Sequence, residues 1–134
     1  MKFTIEISPG ELIDRLTILQ IKQERITKQE DLQHCAREYQ ELLNLYNTLP
    51  LSQEQQKLTQ LLLDCNRDLW DIEEQKRQHE HDKCFDLNFI RLARQVYLRN
   101  DDRARYKQQL NRLLNSDRQE VKSHRSLQEN PAVS

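Results

Sequence analysis

A single glycine in 134 residues leaves this chain few places to turn tightly, because glycine is the default residue wherever the backbone must bend sharply or take a positive φ. Long helices joined by short links are the architecture that such a sequence favours. The rest of the composition agrees, being rich in Gln, Leu, Arg and Glu, which lose little freedom in a helix. Leu, Ile, Val and Phe make up about a quarter of the residues, above the level at which disorder becomes the default. One domain with one core is therefore expected.

The apolar spacing sets out the elements. Phe3, Ile5 and Ile7 alternate with Lys2, Thr4 and Glu6, which predicts a short N-terminal strand. No second strand is visible, so this one should pair with a copy of itself in a dimer or lie extended against helices. "SPGE" then marks a helix start, with Ser8 as N-cap, Pro9 at the first position and Glu11 closing a capping box. This first helix runs to about Ile26. Leu12, Leu16 and Leu19 form a seam and Ile13, Ile18 and Ile21 lie off it, so the helix should be the most buried or line a dimer interface.

Thr27 and Glu30 offer a second capping box. Leu32, Cys35, Tyr39, Leu42, Tyr46 and Leu49 keep the 3-4 spacing of a coiled-coil seam as far as Pro50. Ser52 and Gln55 cap a third helix with a seam through Leu58, Leu62, Cys65, Leu69 and Ile72, and helices two and three are expected to form an antiparallel hairpin. The fourth helix begins near Asp86. It carries Phe89, Ile90, Ala93 and Val96 early and Leu110, Leu113 and Leu114 late. The expected fold is an all-α antiparallel bundle of about four helices with a short N-terminal strand, spanning residues 1–116. Residues 117–134 are polar and aperiodic and read as a flexible tail.

Charge and cysteine content exclude several functions. The net charge of −1 gives no bulk attraction to nucleic acid or anionic membrane, although basic groups outnumber acidic ones two to one in the last third. No apolar run is long enough to span a bilayer, and "MKFTIEIS" lacks the apolar core of a signal peptide. Cys35, Cys65 and Cys84 are odd in number and widely spaced, as reduced thiols of a cytoplasmic protein would be.

One stretch breaks the apolar pattern. In "VYLRNDDRARYK", Tyr97, Asn100, Ala104 and Lys107 fall on one helical stripe, where the neighbouring turns are apolar. "NDD" is also a weak helix interior and a good cap, so the helix could break near Asn100. A wet helix face explains the stripe; so does a polar pocket in which Arg103 and Lys107 hold an anionic group and Tyr97 and Asn100 orient it. Such a pocket needs groups from other helices. Asn66, Trp70 and Glu73 share one face of helix three, and Asp14 and Thr17 share a face of the otherwise apolar helix one. The simpler role for Trp70 is in the core with its N–H on a carboxylate such as Glu73.

Two sharper motifs fall short. "HEHDKC" places His79, His81 and Cys84 within six residues, enough for three zinc ligands. No fourth ligand stands at a characteristic spacing, and His79 and His81 diverge on a helix, so a solvated helix end is expected and no metal. "RLARQVYLRNDDRARYKQQLNRL" mixes basic groups and tyrosines as RNA binders do, but Asp101 and Asp102 interrupt it. No cofactor is expected, and a chain with one glycine cannot build a glycine-rich phosphate loop.

The segments "ISPGELIDRLTILQIKQERIT", "LWDIE" and "VYLRNDDRARYKQQLN" resemble, in this order over roughly residues 3–115, the family of short bacterial proteins of unknown function DUF6165. The resemblance implies no activity, but its segments carry Asp14, Trp70, Glu73, Tyr97, Asn100, Arg103 and Lys107. "LIDRLTILQIKQERI" is also similar to the first helix of the all-helical chorismate mutases, with Arg15, Lys22 and Arg25 as the matching cations. The later helices do not follow that pattern, and the similarity serves only as an analogy for how a small bundle can hold a dianion. The expected function is that of a dimeric binding or adaptor module. The alternative is a small enzyme or ligand-binding protein that takes an anionic metabolite, a phosphorylated or nucleotide-linked sugar, between its helices.

Overall fold

The computed structural model describes residues 1–114. Four helices follow one another as α1 (Pro9–Arg25), α2 (Gln29–Tyr46), α3 (Gln53–Asp82) and α4 (Leu87–Leu113). Their starts are set locally. Ser8 Oγ accepts from Glu11 N at 3.2 Å, Ser52 Oγ from Gln55 N at 3.1 Å and Asp86 Oδ1 from Phe89 N at 3.1 Å, each satisfying an amide that a helix start leaves orphaned. The second start departs from the expected capping box: Lys28 is the N-cap and no side chain caps it.

α1 is the central helix. Ile13, Asp14, Thr17 and Ile21 are buried almost completely, because α2, α3 and α4 each pack against α1. Hydrophobic burial is greatest where Ile13 meets Leu58, Leu62 and Leu110, with Tyr46, Leu49 and Tyr106 closing around them. α3 and α4 form the longest contact in the molecule, an antiparallel hairpin turned at Lys83, whose φ of 53° is the left-handed conformation of a helix C-cap.

Three expectations are corrected. Residues 1–7 form no strand among the described residues, and Phe3 and Ile5 are 84% and 71% exposed: with no partner strand to bond, side-chain alternation has no ladder to act on. α2 packs along α1 and not along α3. The two meet only at their ends, where Tyr46 Oη donates to Gln55 Oε1 at 3.1 Å. α4 does not break at Asn100 but runs unbroken through "NDD", since Asp102 bonds Arg99 and Arg105 along the helix instead of capping a new one. The proposed tail at 117–134, and the boundary at 116, lie outside the described residues.

The lengths of the helices divide the molecule. By its rise per residue α3 extends about 45 Å and α1 only about 25 Å. α1 ends level with Asp71, to which Arg25 is bonded. Beyond that point, among the described residues, α3 and α4 have only each other, and Phe85, Leu87 and Ile90 are exposed.

Candidate functional site

Asp14 is the centre of the polar residues that the sequence singles out. It lies on the α1 face that meets both α3 and α4, and is 1% exposed. A carboxylate in that position must be paired, because burying an isolated charge is far costlier than any packing gain. Arg103 of α4 pairs with it through a two-pronged bond, Nε to Oδ1 at 2.9 Å and Nη2 to Oδ2 at 2.6 Å. From α3, Asn66 Nδ2 donates to Asp14 Oδ1 at 3.0 Å and to Thr17 Oγ1 at 2.9 Å. Thr17 in turn donates to the Asp14 carbonyl at 2.8 Å. Three helices are thus tied at one carboxylate. The bond to Asp14 raises the affinity of the Arg103 guanidinium for its proton, outweighing partial burial.

Lys107, one turn further along α4, forms a second layer. Its Nζ is 2.7 Å from Glu11 Oε1 and 4.0 Å from Asp14 Oδ2. Partial burial pushes the Glu11 carboxyl up, but hydrogen bonds from Lys107 and Arg15 outweigh it and hold its pKa below the usual value. The layer closes at Gly10, whose N–H donates to Asn111 Oδ1 at 2.7 Å. A Cβ on Gly10 would stand 2.4 Å from the Lys107 carbonyl oxygen. The only glycine in the chain therefore stands where α1 and α4 come too close for a side chain between them. Neither Gly10 nor Asn111 was marked by spacing; the signal available was a lone glycine inside a helix, where it costs stability unless contact demands it.

Beside this network opens a cleft of about 290 Å³. Its wall is apolar, made by Ile18 and Ile21 of α1 and Leu69 and Trp70 of α3. Asn66, Glu73 and Arg77 of α3 and Asn100 and Arg103 of α4 supply its polar groups. Trp70 Nε1 is buried and has no hydrogen-bond partner among the described residues. Glu73 is not its acceptor and instead faces Lys76 at 3.4 Å. A larger groove, between the start of α3 and the end of α4, is lined by Lys57, Arg105, Tyr106 and Arg112 and shares none of these residues.

The structure thus brings together five of the eight residues expected to form a pocket, Asn66, Trp70, Glu73, Asn100 and Arg103, around one cleft. Asp14 lies beneath it as the anchor of Arg103, and Lys107 bonds to the adjacent layer. Tyr97 is not part of it: it is 65% exposed on the free side of α4. Ile18, Ile21 and Leu69 read in the sequence as core, and the structure places them in the wall of the cleft.

The chain matches the model of the family of unknown function DUF6165 over residues 1–134, its full length, and belongs to that family. No curated protein and no solved structure matches it. No helix among the described residues is long and apolar enough to cross a membrane.

Proposed function

We propose that this member of the family is a binding module, acting in the cytoplasm, that receives a protein partner at the Trp70 cleft. The observation that carries this reading is the commitment of the site's reactive groups to one another. Asp14 is saturated by Arg103 and Asn66, Lys107 is held by Glu11, and burial pushes the Cys65 thiol up, away from the nucleophilic thiolate. An acid, base or nucleophile must be free to meet substrate. What is left open is an apolar wall edged by the Asn100 amide, the Arg77 guanidinium and the Glu73 carboxylate, which faces Lys76, a surface suited to an apolar side chain flanked by a carboxylate that meets the guanidinium.

The second reading, an anionic metabolite such as a phosphorylated or nucleotide-linked sugar, is favoured by Arg77 and Arg103 standing at the same cleft. Trp70 is the only tryptophan, so its fluorescence reports the cleft alone. The test is a titration of the full chain with two panels, amphipathic peptides carrying a carboxylate next to Leu or Phe, and sugar phosphates with nucleotides. A blue shift and a raised melting temperature with peptides only are expected. Response to the small anions alone establishes the second reading, and silence from both panels sinks the cleft as a binding site.

Self-association belongs to the same proposal. Phe3 and Ile5 are exposed in the single chain, and pairing with a second copy would remove them from water. Light scattering should show a dimer at micromolar concentration that Phe3→Ser with Ile5→Ser converts to monomer. A monomer in the unaltered chain would refute it.

A further inference from the structure

We propose that the tip of the α3–α4 hairpin is a transition-metal site, suited to zinc, with His79, Cys84 and Asp86 as protein ligands and a fourth position left to water. The sequence suggested His79, His81 and Cys84, and the turn shows why His81 is the wrong third member. His81 is turned away, its Nδ1 3.3 Å from Asp82 Oδ1. The left-handed Lys83 instead folds the chain back so that Cys84 and Asp86 come up against His79. One donor atom from each of His79, Cys84 and Asp86 lies within 4.8 Å of the other two.

The spacings suit a small tetrahedral ion. Bonds of about 2.0–2.3 Å to nitrogen, sulfur and oxygen place neighbouring donors about 3.3–3.8 Å apart. Here Cys84 Sγ is 3.5 Å from Asp86 Oδ2, within that range, and His79 Nδ1 is 3.7 Å from Oδ1 of the same carboxylate. Because Asp86 Oδ1 already caps α4 through Phe89 N, Oδ2, which accepts the Cys84 thiol until the metal displaces its proton, is the oxygen left to ligate. His79 Nδ1 lies 2.8 Å from the Cys84 carbonyl; ligation moves the ring proton to Nε2 and turns the Nδ1 lone pair to the metal. The Phe89 ring, its centroid 5.9 Å from that of His79, flanks the imidazole. The thiol proton leaves to solvent as the metal–sulfur bond forms. A dication with one thiolate and one carboxylate makes a neutral site, and imidazole with thiolate selects zinc, cobalt or copper over magnesium and calcium.

The test uses the full, reduced chain and Co²⁺ as a probe. A thiolate-to-cobalt charge-transfer band should appear at one ion per chain, with one proton released, and Zn²⁺ should displace it. Cys84→Ser should abolish the band, and His79→Ala or Asp86→Asn should weaken Co²⁺ binding by roughly ten-fold or more. Asn keeps the helix cap at 86, so a lost site in that variant is not a lost fold. His81→Ala should leave binding unchanged. The proposal is overturned if the unaltered chain gives no band, if the band survives Cys84→Ser, or if His81→Ala removes it while His79→Ala does not.

Discussion

The two halves of the α3–α4 hairpin have the same helices and similar composition but are held in different ways. In the lower half α1 lies against both helices, and Asp14, Thr17, Asn66, Arg103 and Lys107 are bonded across three elements. In the upper half no third helix is present among the described residues. Its ion pairs are short-range and partly or fully exposed, Lys76 with Glu73 and Lys83 with Glu80 along the chain and His79 with Asp86 across the turn, while Phe85 and Ile90 stay exposed. Identical side-chain chemistry is structural where a third helix excludes water and is peripheral where it does not. Buried ion pairs are costly to break from one side, whereas exposed ones contribute little.

The largest test of that contrast is Arg103→Leu, which strands the buried Asp14 carboxylate and should cost roughly 3–5 kcal/mol in denaturant unfolding. The matching change above, Lys83→Leu, removes an exposed pair and should cost less than about 1 kcal/mol. Equal costs would erase the distinction. Gly10→Ala comes next. Its methyl group would meet the Lys107 backbone, which cannot swing aside as a side chain can, and the forced separation of α1 from α4 should cost on the order of 1–3 kcal/mol. A neutral or stabilising result would mean that the two helices can move apart freely.

Lys107→Leu is gentler. Asp14 keeps Arg103 and Glu11 keeps Arg15, so the loss should stay near 1 kcal/mol or below; a larger drop would make the second layer as essential as the first. The pH dependence bears on this layer too. Glu11's carboxyl titrates lower in the folded chain than its ordinary value, so its contribution is present above the unfolded pKa and is lost as pH falls through the folded one. Glu11→Gln should flatten part of the acid limb of a stability profile, and an unchanged limb would assign it to other carboxylates. Tyr97→Phe, on the free side of α4, should change stability by less than about 0.5 kcal/mol. A greater effect would show that Tyr97 is covered by a partner.

The polar stripe at 97–107 shows how far the sequence reaches. Its members are evenly spaced along one helix, yet Tyr97 points to solvent, Asn100 reaches the cleft and Lys107 bonds to Glu11. Helical periodicity fixes which residues share a face, not what stands opposite that face at each height. The same limit explains the misplaced hairpin. The apolar seam of α2 required burial, but both neighbouring links are short enough to fold α2 back on either helix. α1 won because it is apolar around most of its circumference.

What the sequence determined by itself is what neighbouring residues decide: four helices, their starts at Ser8, Ser52 and Asp86, the central burial of α1 and the polar character of Asp14 and Arg103. Caps and periodicity act over three or four positions, so they are present in any conformation that forms the helix. What only the tertiary structure decided is every pairing across long separations. Asp14 and Arg103 stand 89 positions apart, and their bond exists because three helices meet at one height. The packing of α2 on α1, the cleft beside Trp70 and the approach of α1 to α4 at Gly10 have the same origin. An apolar stripe or a buried charge states that a partner is needed, and shape complementarity among all the helices together selects which partner it is.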